Sequence, residues 1–184
     1  MRKIRLCSNS PTRAKILKEY GVEFIQSKVE FDEDSLTYKE PRAFVYYASL
    51  GKLNAAKEKF GLDTPILTAD TVVVAKGEIL RKAKDKDDAR KALLAQSNSS
   101  VSIITSLHLQ SKEFYFTDLS STTYRFFEFD KKDLEEYLDS NEWKGKAGAC
   151  MVEGFCKKYI KSVRGFESCA KGLTVEKILP WIKG

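Results

Sequence analysis

The chain has 184 residues, of which 42% are hydrophobic and 32% charged, so we expect a folded globular protein and exclude an intrinsically disordered one. The formal net charge of +6 leaves two interpretations open: a polyanionic partner (nucleotide, nucleic acid or membrane surface) or a lysine-rich solvated surface. No window approaches the ~20 apolar residues of a membrane-spanning helix, and the N-terminus shows no export signal, which indicates a cytoplasmic protein without a membrane partner.

The cysteines and the single histidine argue against a structural zinc site. The four cysteines form no C-x-x-C pair, and His108 is the only histidine. Zinc ligands normally come at short paired spacings, so this pattern is not typical of such a site. In a reducing cytoplasm we expect four free thiols.

The first half of the chain alternates short apolar strands with helices that carry clear start and stop signals. Ser10 can cap a helix, Pro11 suits its first position, and Gly21 ends it. The expected elements are a strand from Ile4 to Cys7, a helix from Pro11 to Tyr20, a strand from Val22 to Ile25, a helix from Pro41 to Phe60 and a β-branched strand from Ile66 to Ala75.

The second half continues the alternation and adds a hairpin, in which Lys76-Gly77 turns the chain towards Ile79-Leu80. Asp85 with Asp88 resembles a capping pair. The further expected elements are a helix through Leu94, strands near 101–109 and 114–129, a helix from Asp130 through Leu138, a strand from Lys157 to Val163 and a helix from Leu173 to Ile182. Interleaved strands and helices of this kind predict an α/β fold with a mixed sheet.

The first segment that could carry chemistry is the strand-to-helix junction from Ser8 to Arg13. The N-terminus of a helix presents free N–H groups and the positive end of its dipole, which suits phosphate. The alternative is an ordinary helix start, since capping needs only Ser10 and Pro11.

Two acidic positions could hold a metal ion or activate water. Asp70 lies inside a β-branched run, where a charge is costly unless it is paired or bound to a metal. Glu33 lies in the acidic stretch 30–34, and clustered carboxylates suit Mg²⁺. The alternatives are a surface position for Asp70 and a solvated acidic loop around Glu33.

Three basic positions could bind phosphate. Lys82 follows a short turn, Lys146 lies in a loop that contains glycine, and Lys52 lies in the middle of a helix; each alone is also typical of a solvated surface. The sequence has no P-loop and no G-x-G-x-x-G motif. A Ser-His-Asp site would depend on His108, which lies in an apolar run and is predicted to be structural.

Taken together, these segments resemble the Maf family of nucleotide pyrophosphatases. The matching segments are, in chain order, Ser8-Asn9-Ser10-Pro11-Thr12-Arg13, Asp32-Glu33, Lys52, Ala69-Asp70-Thr71-Val72-Val73, Leu80-Arg81-Lys82-Ala83, Lys146-Ala147-Gly148, Glu153-Gly154 and Gly172-Leu173-Thr174. They stand in family order and span almost the whole chain.

The resemblance implies an elongated mixed β-sheet with flanking helices and two lobes around a central cleft, as in inosine triphosphate pyrophosphatases, within a single domain of residues 1–184. It also implies a divalent cation, Mg²⁺ or Mn²⁺, and often a homodimer. Catalytic roles are implied for Asp70, Glu33 and Lys82, with Glu33 and Asp70 also holding the metal. Substrate contacts are implied for Ser8, Ser10, Arg13, Lys52, Thr71, Lys146 and Glu153.

The sequence departs from the family pattern at several positions. Thr12 replaces an arginine, Ala83 a proline, Glu153 a glutamine and Thr174 a proline. The segment 97–101 lacks the family's glycine and histidine. The Ala-Asp-Thr form resembles the branch that prefers pyrimidine nucleotides such as dTTP, UTP and modified uridine triphosphates.

The expected function is therefore hydrolysis of a nucleoside triphosphate between its α- and β-phosphates, as a house-cleaning activity. One alternative is a catalytically weakened nucleotide-binding regulator of cell division and septum formation, and another is a sibling enzyme that acts on inosine or other purine triphosphates. A nucleic-acid binder is disfavoured, because Phe126, Phe127 and Phe129 are predicted to belong to a sheet core rather than to a stacking surface.

Overall fold

The computed structural model describes residues 2–183, and its β-strands form one mixed sheet with the order β2-β1-β3-β5-β6-β7, in which β4 pairs with β3. The strands are β1 (Ile4–Cys7), β2 (Phe24–Ser27), β3 (Ile66–Ala75), β4 (Glu78–Leu80), β5 (Ser100–Gln110), β6 (Tyr115–Phe126) and β7 (Ile160–Arg164). β1 runs parallel to β2 and β3, whereas β4 and β7 are antiparallel to their neighbours. The predicted α/β class with a mixed sheet is confirmed.

Helices interleave with the strands, as the sequence predicts. They are α1 (Pro11–Glu19), α2 (Pro41–Phe60), α3 (Lys86–Gln96), α4 (Lys131–Ser140), α5 (Glu167–Ala170) and α6 (Val175–Ile182). The predicted caps are present: Ser10 accepts from the Arg13 N–H, Asp85 from the Asp88 N–H, and Asp130 from the first N–H groups of α4. Each cap satisfies N–H groups that have no partner within the helix.

The chain divides into two compact units. The first comprises residues 1–71, 105–120 and 166–184, and the second comprises 72–104 and 121–165, so that β3, β5 and β6 each contribute to both. The predicted cleft between two lobes stays a prediction, as does the single domain over 1–184.

The first unit has an aliphatic core around the parallel pair β1 and β2. Ile4 and Leu6 of β1 are fully buried with Leu67 of β3 and Leu107 of β5, and α1 and α6 add Leu17 and Ile178 to the same cluster. Alternate residues of a strand point to the same face, so Ile4 and Leu6 enter this core together. Arg5, on the opposite face, stacks its guanidinium over the Phe60 ring.

The second unit has an aromatic core. The rings of Phe126, Phe129, Tyr137, Phe155 and Tyr159 form a connected series with centroids 4.6–5.6 Å apart. α3 and α4 are joined at the surface by a bidentate pair between Arg90 and Glu135, at 2.9 and 2.7 Å.

The second strand begins later than predicted. Val22 is buried, and its N–H donates to the Leu17 carbonyl, so it completes the end of α1 instead of pairing. The parallel register then sets Ile4 opposite Phe24, and β2 runs to Ser27. A helix-terminal hydrogen bond has overridden the β propensity of valine.

The prediction of a strand from Lys157 to Val163 is wrong at its start. Residues Phe155–Tyr159 form a 3-10 helix, and β7 begins at Ile160. The Cys156 N–H donates to the Met151 carbonyl, and the Lys157 N–H donates to the Gly154 carbonyl. These local bonds are those of turns, so this backbone cannot pair as a strand. The aromatic core holds Phe155 and Tyr159 in that conformation.

The strand-like stretch 114–129 ends at Phe126, because the Phe127 N–H donates to the Tyr159 carbonyl and the Phe129 N–H to the Ser97 hydroxyl. Phe126 and Phe129 are buried as predicted. Phe127 is 52% exposed, so its assignment to the core is wrong.

The C-terminal helix starts at Val175 instead of Leu173, and α5 was not predicted. Gly172 has φ +98°, a conformation that L side chains rarely adopt and that no helix contains. Its N–H donates to the Cys169 carbonyl, which separates α5 from α6 by a tight turn.

The structure also describes the state of the cysteines and the lengths of the helices. All four cysteines are free thiols, as predicted. Between residues 2 and 183, no helix is both long and apolar enough to cross a bilayer.

Candidate active site

Two acidic residues far apart in sequence meet at one lysine in the first unit. Lys52 Nζ lies 2.6 Å from Glu33 Oε1 and 2.6 Å from Asp70 Oδ1. Because both oxygens lie that close to one nitrogen, they can be no more than twice that distance apart. Glu33 and Asp70, which are predicted to share a metal ion, therefore lie close together, and Lys52 contacts both of them; the roles of the three residues stay a prediction.

Each member of this trio comes from a different element. Lys52 lies on α2, Asp70 on β3, and Glu33 opens a 3-10 turn (Glu33–Ser35) that Asp32 caps. The Thr68 hydroxyl donates to the Ser49 carbonyl at 3.0 Å. This bond fixes α2 against β3 about one turn before Lys52 and thereby sets the height of the lysine beside Asp70.

Gly51 explains how the acidic segment approaches α2. A Cβ at this position would lie 2.2 Å from the Phe31 ring, so only glycine leaves room for that ring. Phe31 stands two residues before Glu33. The packing of Phe31 on Gly51 therefore brings Glu33 towards Lys52, the next residue of the helix.

We predict that Gly51→Ala lowers the melting temperature and weakens the site. Alanine in a helix interior is normally more favourable than glycine by about 1 kcal/mol, but here the overpacking against Phe31 costs more, with a net loss of about 1 kcal/mol. Thermal denaturation of Gly51→Ala measures the sign. In a Phe31→Leu background, which removes the ring, the same change should become neutral or stabilising; an equal loss in both backgrounds would contradict the steric explanation.

Asp70 is held in an environment that resists ionisation. Its residue is 7% exposed. Burial raises the pKa of the Asp70 carboxyl, and the charge of Glu33 raises it further, while Lys52 and Arg13 act in the opposite direction. A carboxylate with a raised pKa is a better proton acceptor when ionised, as a general base requires.

A second cluster in the same unit surrounds Arg13. Its Nε donates to the Gly172 carbonyl at 2.7 Å, Nη1 to Ser8 Oγ at 3.0 Å and Nη2 to Thr71 Oγ1 at 3.1 Å. Burial lowers the pKa of the Arg13 guanidinium, and the charges of Asp70 and Glu33 oppose this shift. Arg13 therefore supplies positive charge near the two acids.

Ser10 has a structural task at this junction. Its hydroxyl caps α1 by accepting from the Arg13 N–H at 3.3 Å, and its own N–H donates to Ser8 Oγ at 3.2 Å. These bonds shape the turn from which Ser8 and Arg13 extend. A phosphate contact of Ser10 stays a prediction.

The remaining predicted residues lie in the second unit. Lys82 forms an isolated antiparallel bridge with Ala147, and the Gly148 N–H donates to the Arg81 carbonyl at 3.0 Å, so Lys82 and Lys146 lie on adjoining segments. Gln96 Nε2 donates to the Gly148 carbonyl at 2.7 Å and holds the loop from α3. Glu153 is exposed in the turn before Phe155–Tyr159. Whether these residues share a cleft with Asp70 stays a prediction.

The candidate ligands for a divalent cation are the carboxylates of Glu33 and Asp70. Within residues 2–183, no group of three or more histidine, cysteine, aspartate or glutamate side chains could hold a metal ion. Glu33 and Asp70 supply two carboxylates at one point, and Mg²⁺ is commonly bound through one or two carboxylates together with substrate phosphates and water. Two carboxylates match the protein's share of a Mg²⁺ or Mn²⁺ site that substrate and water complete, and the cation itself stays a prediction.

Sequence reasoning did not identify Gly51, the Gly172 carbonyl or Thr105, whose Oγ1 lies 2.8 Å from Thr71 Oγ1, as neighbours of the site residues. A glycine inside a helix directly before a predicted site lysine is one signal, because an interior glycine often marks a close approach. A threonine inside the apolar run of β5 is another. The Gly172 carbonyl gave no signal, because any residue has one.

His108 contacts Tyr46 and Tyr115, and its predicted structural role stays a prediction. It is fully buried, and its Nδ1 lies 2.6 Å from the Tyr115 hydroxyl. Burial lowers the pKa of His108, which favours the neutral ring.

Comparison with known proteins identifies the family. The profile of the family described as "Maf-like protein" matches residues 3–184. The chain belongs to the Maf-like family. Its relatives include proteins named nucleoside triphosphate pyrophosphatase. The one from a Nitratiruptor species is 58% identical over 177 residues, which are 95% of this chain and 96% of that protein.

Two further relatives extend this agreement to lower identity. The protein of Helicobacter pylori is 40% identical over 178 residues, covering 97% of this chain and 94% of its own length. The protein of Campylobacter jejuni is 33% identical over 180 residues, covering 96% and 98%. The predicted membership of the Maf family is confirmed, and the match extends over nearly the whole of each chain.

Proposed function

We propose that this Maf-like protein is a nucleoside triphosphate pyrophosphatase that hydrolyses the bond between the α- and β-phosphates and releases a nucleoside monophosphate and pyrophosphate. The names of its relatives support this activity. The observation that carries the proposal is the joining of Glu33 and Asp70 through Lys52, with Arg13 in the same unit. In such a site a carboxylate can activate water, and the neighbouring cations can bind a polyanion such as a triphosphate.

Hydrolysis at the α-phosphorus requires the protein mainly to position the reactants and to neutralise charge on the phosphates, and less to form covalent intermediates. Asp70 accepts the proton of the attacking water as that water attacks the α-phosphorus, and its raised pKa suits this role. Lys52 and Arg13 offset negative charge as it develops on the phosphate oxygens. Arg13 can bind two oxygens at once, whereas lysines act as point charges.

Mg²⁺ or Mn²⁺, the predicted cofactor, would be held by Glu33 and Asp70. Bound there, a divalent cation would supply polarisation of a phosphoryl oxygen and neutralisation of developing charge. Lys52 limits the repulsion between the acids when no cation is bound.

The substrate preference that we propose is for pyrimidine nucleotides, including modified uridine triphosphates, in a house-cleaning role. The support is the Ala69-Asp70-Thr71 form of the motif. Thr12 and Glu153 differ from the family pattern, and Glu153 brings a carboxylate where the family has an amide. An amide both donates and accepts hydrogen bonds, whereas an ionised carboxylate only accepts, so Glu153 narrows the set of base edges that it can contact.

A nucleotide panel tests the proposed function. Purified protein is incubated with common and modified nucleoside triphosphates, with Mg²⁺, with Mn²⁺ and with a chelator, while monophosphate and pyrophosphate are measured. We expect metal-dependent release of both products, fastest with dTTP, UTP or a modified uridine triphosphate. Purine triphosphates as the best substrates would favour the sibling enzyme, and nucleotide binding without pyrophosphate release would favour the regulator of cell division.

Lys82 is predicted to contribute to triphosphate handling, and Lys84 provides a matched control. Lys82→Ala should lower kcat/KM by about tenfold or more, because a point charge near the phosphates is lost. Lys84 is also a lysine of the same loop, two residues further along the chain. Lys84→Ala should keep kcat/KM within about twofold. Equal kinetics for the two variants would remove Lys82 from the site.

A further inference from the structure

Thr105 is linked to the Arg13 cluster through Thr71. It belongs to none of the segments on which the family resemblance rests. It is fully buried on β5, in the first unit. Its Oγ1 lies 2.8 Å from Thr71 Oγ1 and 2.8 Å from the Cys169 carbonyl oxygen. Thr71 in turn receives a hydrogen bond from Arg13 Nη2 at 3.1 Å. These hydrogen bonds form one continuous series, which runs from Arg13 through Thr71 and Thr105 to the Cys169 carbonyl.

The direction of every bond in this series follows from proton counting. A guanidinium only donates, and a carbonyl oxygen only accepts. Thr105 must therefore give its single hydroxyl proton to the Cys169 carbonyl. Since that proton is used, the bond between the two threonines has Thr71 as its donor. Thr71 consequently presents a lone pair to Arg13, and its own proton points towards Thr105.

Because its proton is given to Thr105, the Thr71 hydroxyl can accept a further hydrogen bond but cannot donate one. A phosphate oxygen accepts hydrogen bonds, and in this series Thr71 has no proton left to donate to it. Arg13 does have donors left. Of its five N–H groups, three are committed to Gly172, Ser8 and Thr71, and each terminal nitrogen still holds one. These two N–H groups, called the free fork below, are the donors that Arg13 can still offer to an anion.

We propose that Thr105 is a positioning residue for the reaction: through Thr71 it fixes the plane of the Arg13 guanidinium so that the free fork faces the phosphates of the substrate. This inference rests on the proposed function. Thr105 fixes the proton of Thr71, Thr71 fixes one edge of Arg13, and the Gly172 carbonyl fixes another. A hydroxyl at position 105 is required, and a methyl group in its place is not sufficient.

Gly172 supplies independent support for close control of this guanidinium. A Cβ at position 172 would lie 3.2 Å from Thr71 Oγ1 and 3.5 Å from Arg13 Nε. The backbone therefore passes against Arg13 and Thr71 at a distance that leaves little room for a side chain. The same turn brings the Cys169 carbonyl to Thr105. One segment thus holds both ends of the series.

A double-mutant cycle separates positioning from a merely structural role. The variants are Thr105→Val, which keeps the shape and removes the hydroxyl, Thr105→Ser, which keeps the hydroxyl, Arg13→Lys, which removes the fork, and the double variant Arg13→Lys/Thr105→Val. We expect Thr105→Val to lower kcat/KM by about tenfold and Thr105→Ser to stay within about threefold of the wild type. In the Arg13→Lys background, Thr105→Val should have little further effect, because no fork remains to be oriented.

Thr117→Val is the matched control. The Thr117 hydroxyl also donates to a backbone carbonyl of the first unit, that of Leu107 at 3.2 Å, outside the series. Its kinetics should match the wild type. If Thr105→Val does not fold at the assay temperature, Thr71→Val interrupts the same series at its other hydroxyl, and Thr71→Val with Arg13→Lys completes the cycle.

A second readout keeps this inference distinct from the proposed function. Calorimetric titration with inorganic pyrophosphate and Mg²⁺ measures the affinity of every variant for a phosphate anhydride without turnover. A wild type that hydrolyses no nucleotide in the panel would contradict the proposed function, and the pyrophosphate cycle would still report the coupling of Arg13 and Thr105. Equal losses from Thr105→Val in the wild-type and Arg13→Lys backgrounds would overturn the positioning role, whatever the turnover.

Discussion

Asp70→Asn is expected to lower kcat by about 100-fold or more, on the scale of the loss of a general base. The amide keeps nearly the same shape but cannot accept the proton of the attacking water, and it removes one of the two carboxylates that Lys52 joins. Steady-state kinetics with the best substrate of the panel measures the effect. Wild-type turnover in purified Asp70→Asn would show that Asp70 does not activate water.

Asp63→Asn is the control for this substitution. Asp63 is an exposed aspartate of the same unit, paired with Lys112 at the surface. An exposed pair contributes little, so Asp63→Asn should keep both kcat and the melting temperature. A loss of activity in both variants would point to a general effect of removing negative charge.

The stability of Asp70→Asn provides an independent check. Because the fold raises the pKa of Asp70, the ionised carboxylate is less favourable in the folded state than in the unfolded chain. The stability that the protonated form contributes is present below the unfolded pKa and is lost as the pH rises through the folded pKa. At neutral pH Asp70→Asn should therefore melt at the wild-type temperature or above, and the difference should shrink as the pH falls.

The same shift sets the acidic limit of activity. The proposed mechanism requires ionised Asp70, so kcat/KM should fall as the pH falls through the raised pKa, at a higher pH than an ordinary aspartate would give. The measurement is a pH profile of kcat/KM. A profile that stays flat down to the ordinary range of aspartate would contradict the role of this carboxyl as the base.

Lys52→Met is the second substitution with a large expected effect. It leaves the carboxylates of Glu33 and Asp70 facing each other without their shared ammonium. Removing one partner of a fully buried pair costs about 3–5 kcal/mol. Glu33 keeps 42% of its side chain exposed, so we expect a smaller loss, on the order of 2 kcal/mol in the free energy of unfolding. We also expect kcat/KM to fall by about 100-fold.

The lysine variant also has a signature in its pH profile. Lys52 now lowers the pKa of Asp70, so its loss should raise that pKa further and move the acidic limit of activity to higher pH. Lys57→Met, a change of a lysine in the last turn of the same helix α2, should alter neither stability nor kinetics appreciably. An acidic limit that does not move in Lys52→Met would contradict the electrostatic link.

Local chemistry made much of the fold predictable. Ser10, Asp85 and Asp130 begin their helices as expected, because a cap needs only a side chain and an N–H group two or three residues away. The β-branched run around Asp70 likewise indicated a buried carboxylate, and the structure buries it. The predictions failed where turn hydrogen bonds decide the backbone, at Val22 and at residues 155–159, against what the side chains there indicate.

The candidate site likewise has parts that could be predicted from the sequence and parts that could not. Glu33, Lys52 and Asp70 could be associated through the family resemblance, since nothing local in the sequence joins residues that stand so far apart along the chain. The contacts that shape the site were not accessible from sequence. The Phe31 ring meets Gly51, and Thr105 meets Thr71, only once the tertiary fold has formed.

Attack of water on the α-phosphorus is the step that Glu33, Lys52 and Asp70 are proposed to serve, and the position of attack can be measured directly. Wild-type protein is given its best nucleoside triphosphate and Mg²⁺ in water enriched in oxygen-18, and both products are analysed by mass spectrometry. We predict that the label enters the nucleoside monophosphate and that the pyrophosphate stays unlabelled, with both products formed about 100-fold more slowly in Asp70→Asn. Label in the pyrophosphate, or release of orthophosphate with a nucleoside diphosphate, would contradict attack at the α-phosphorus.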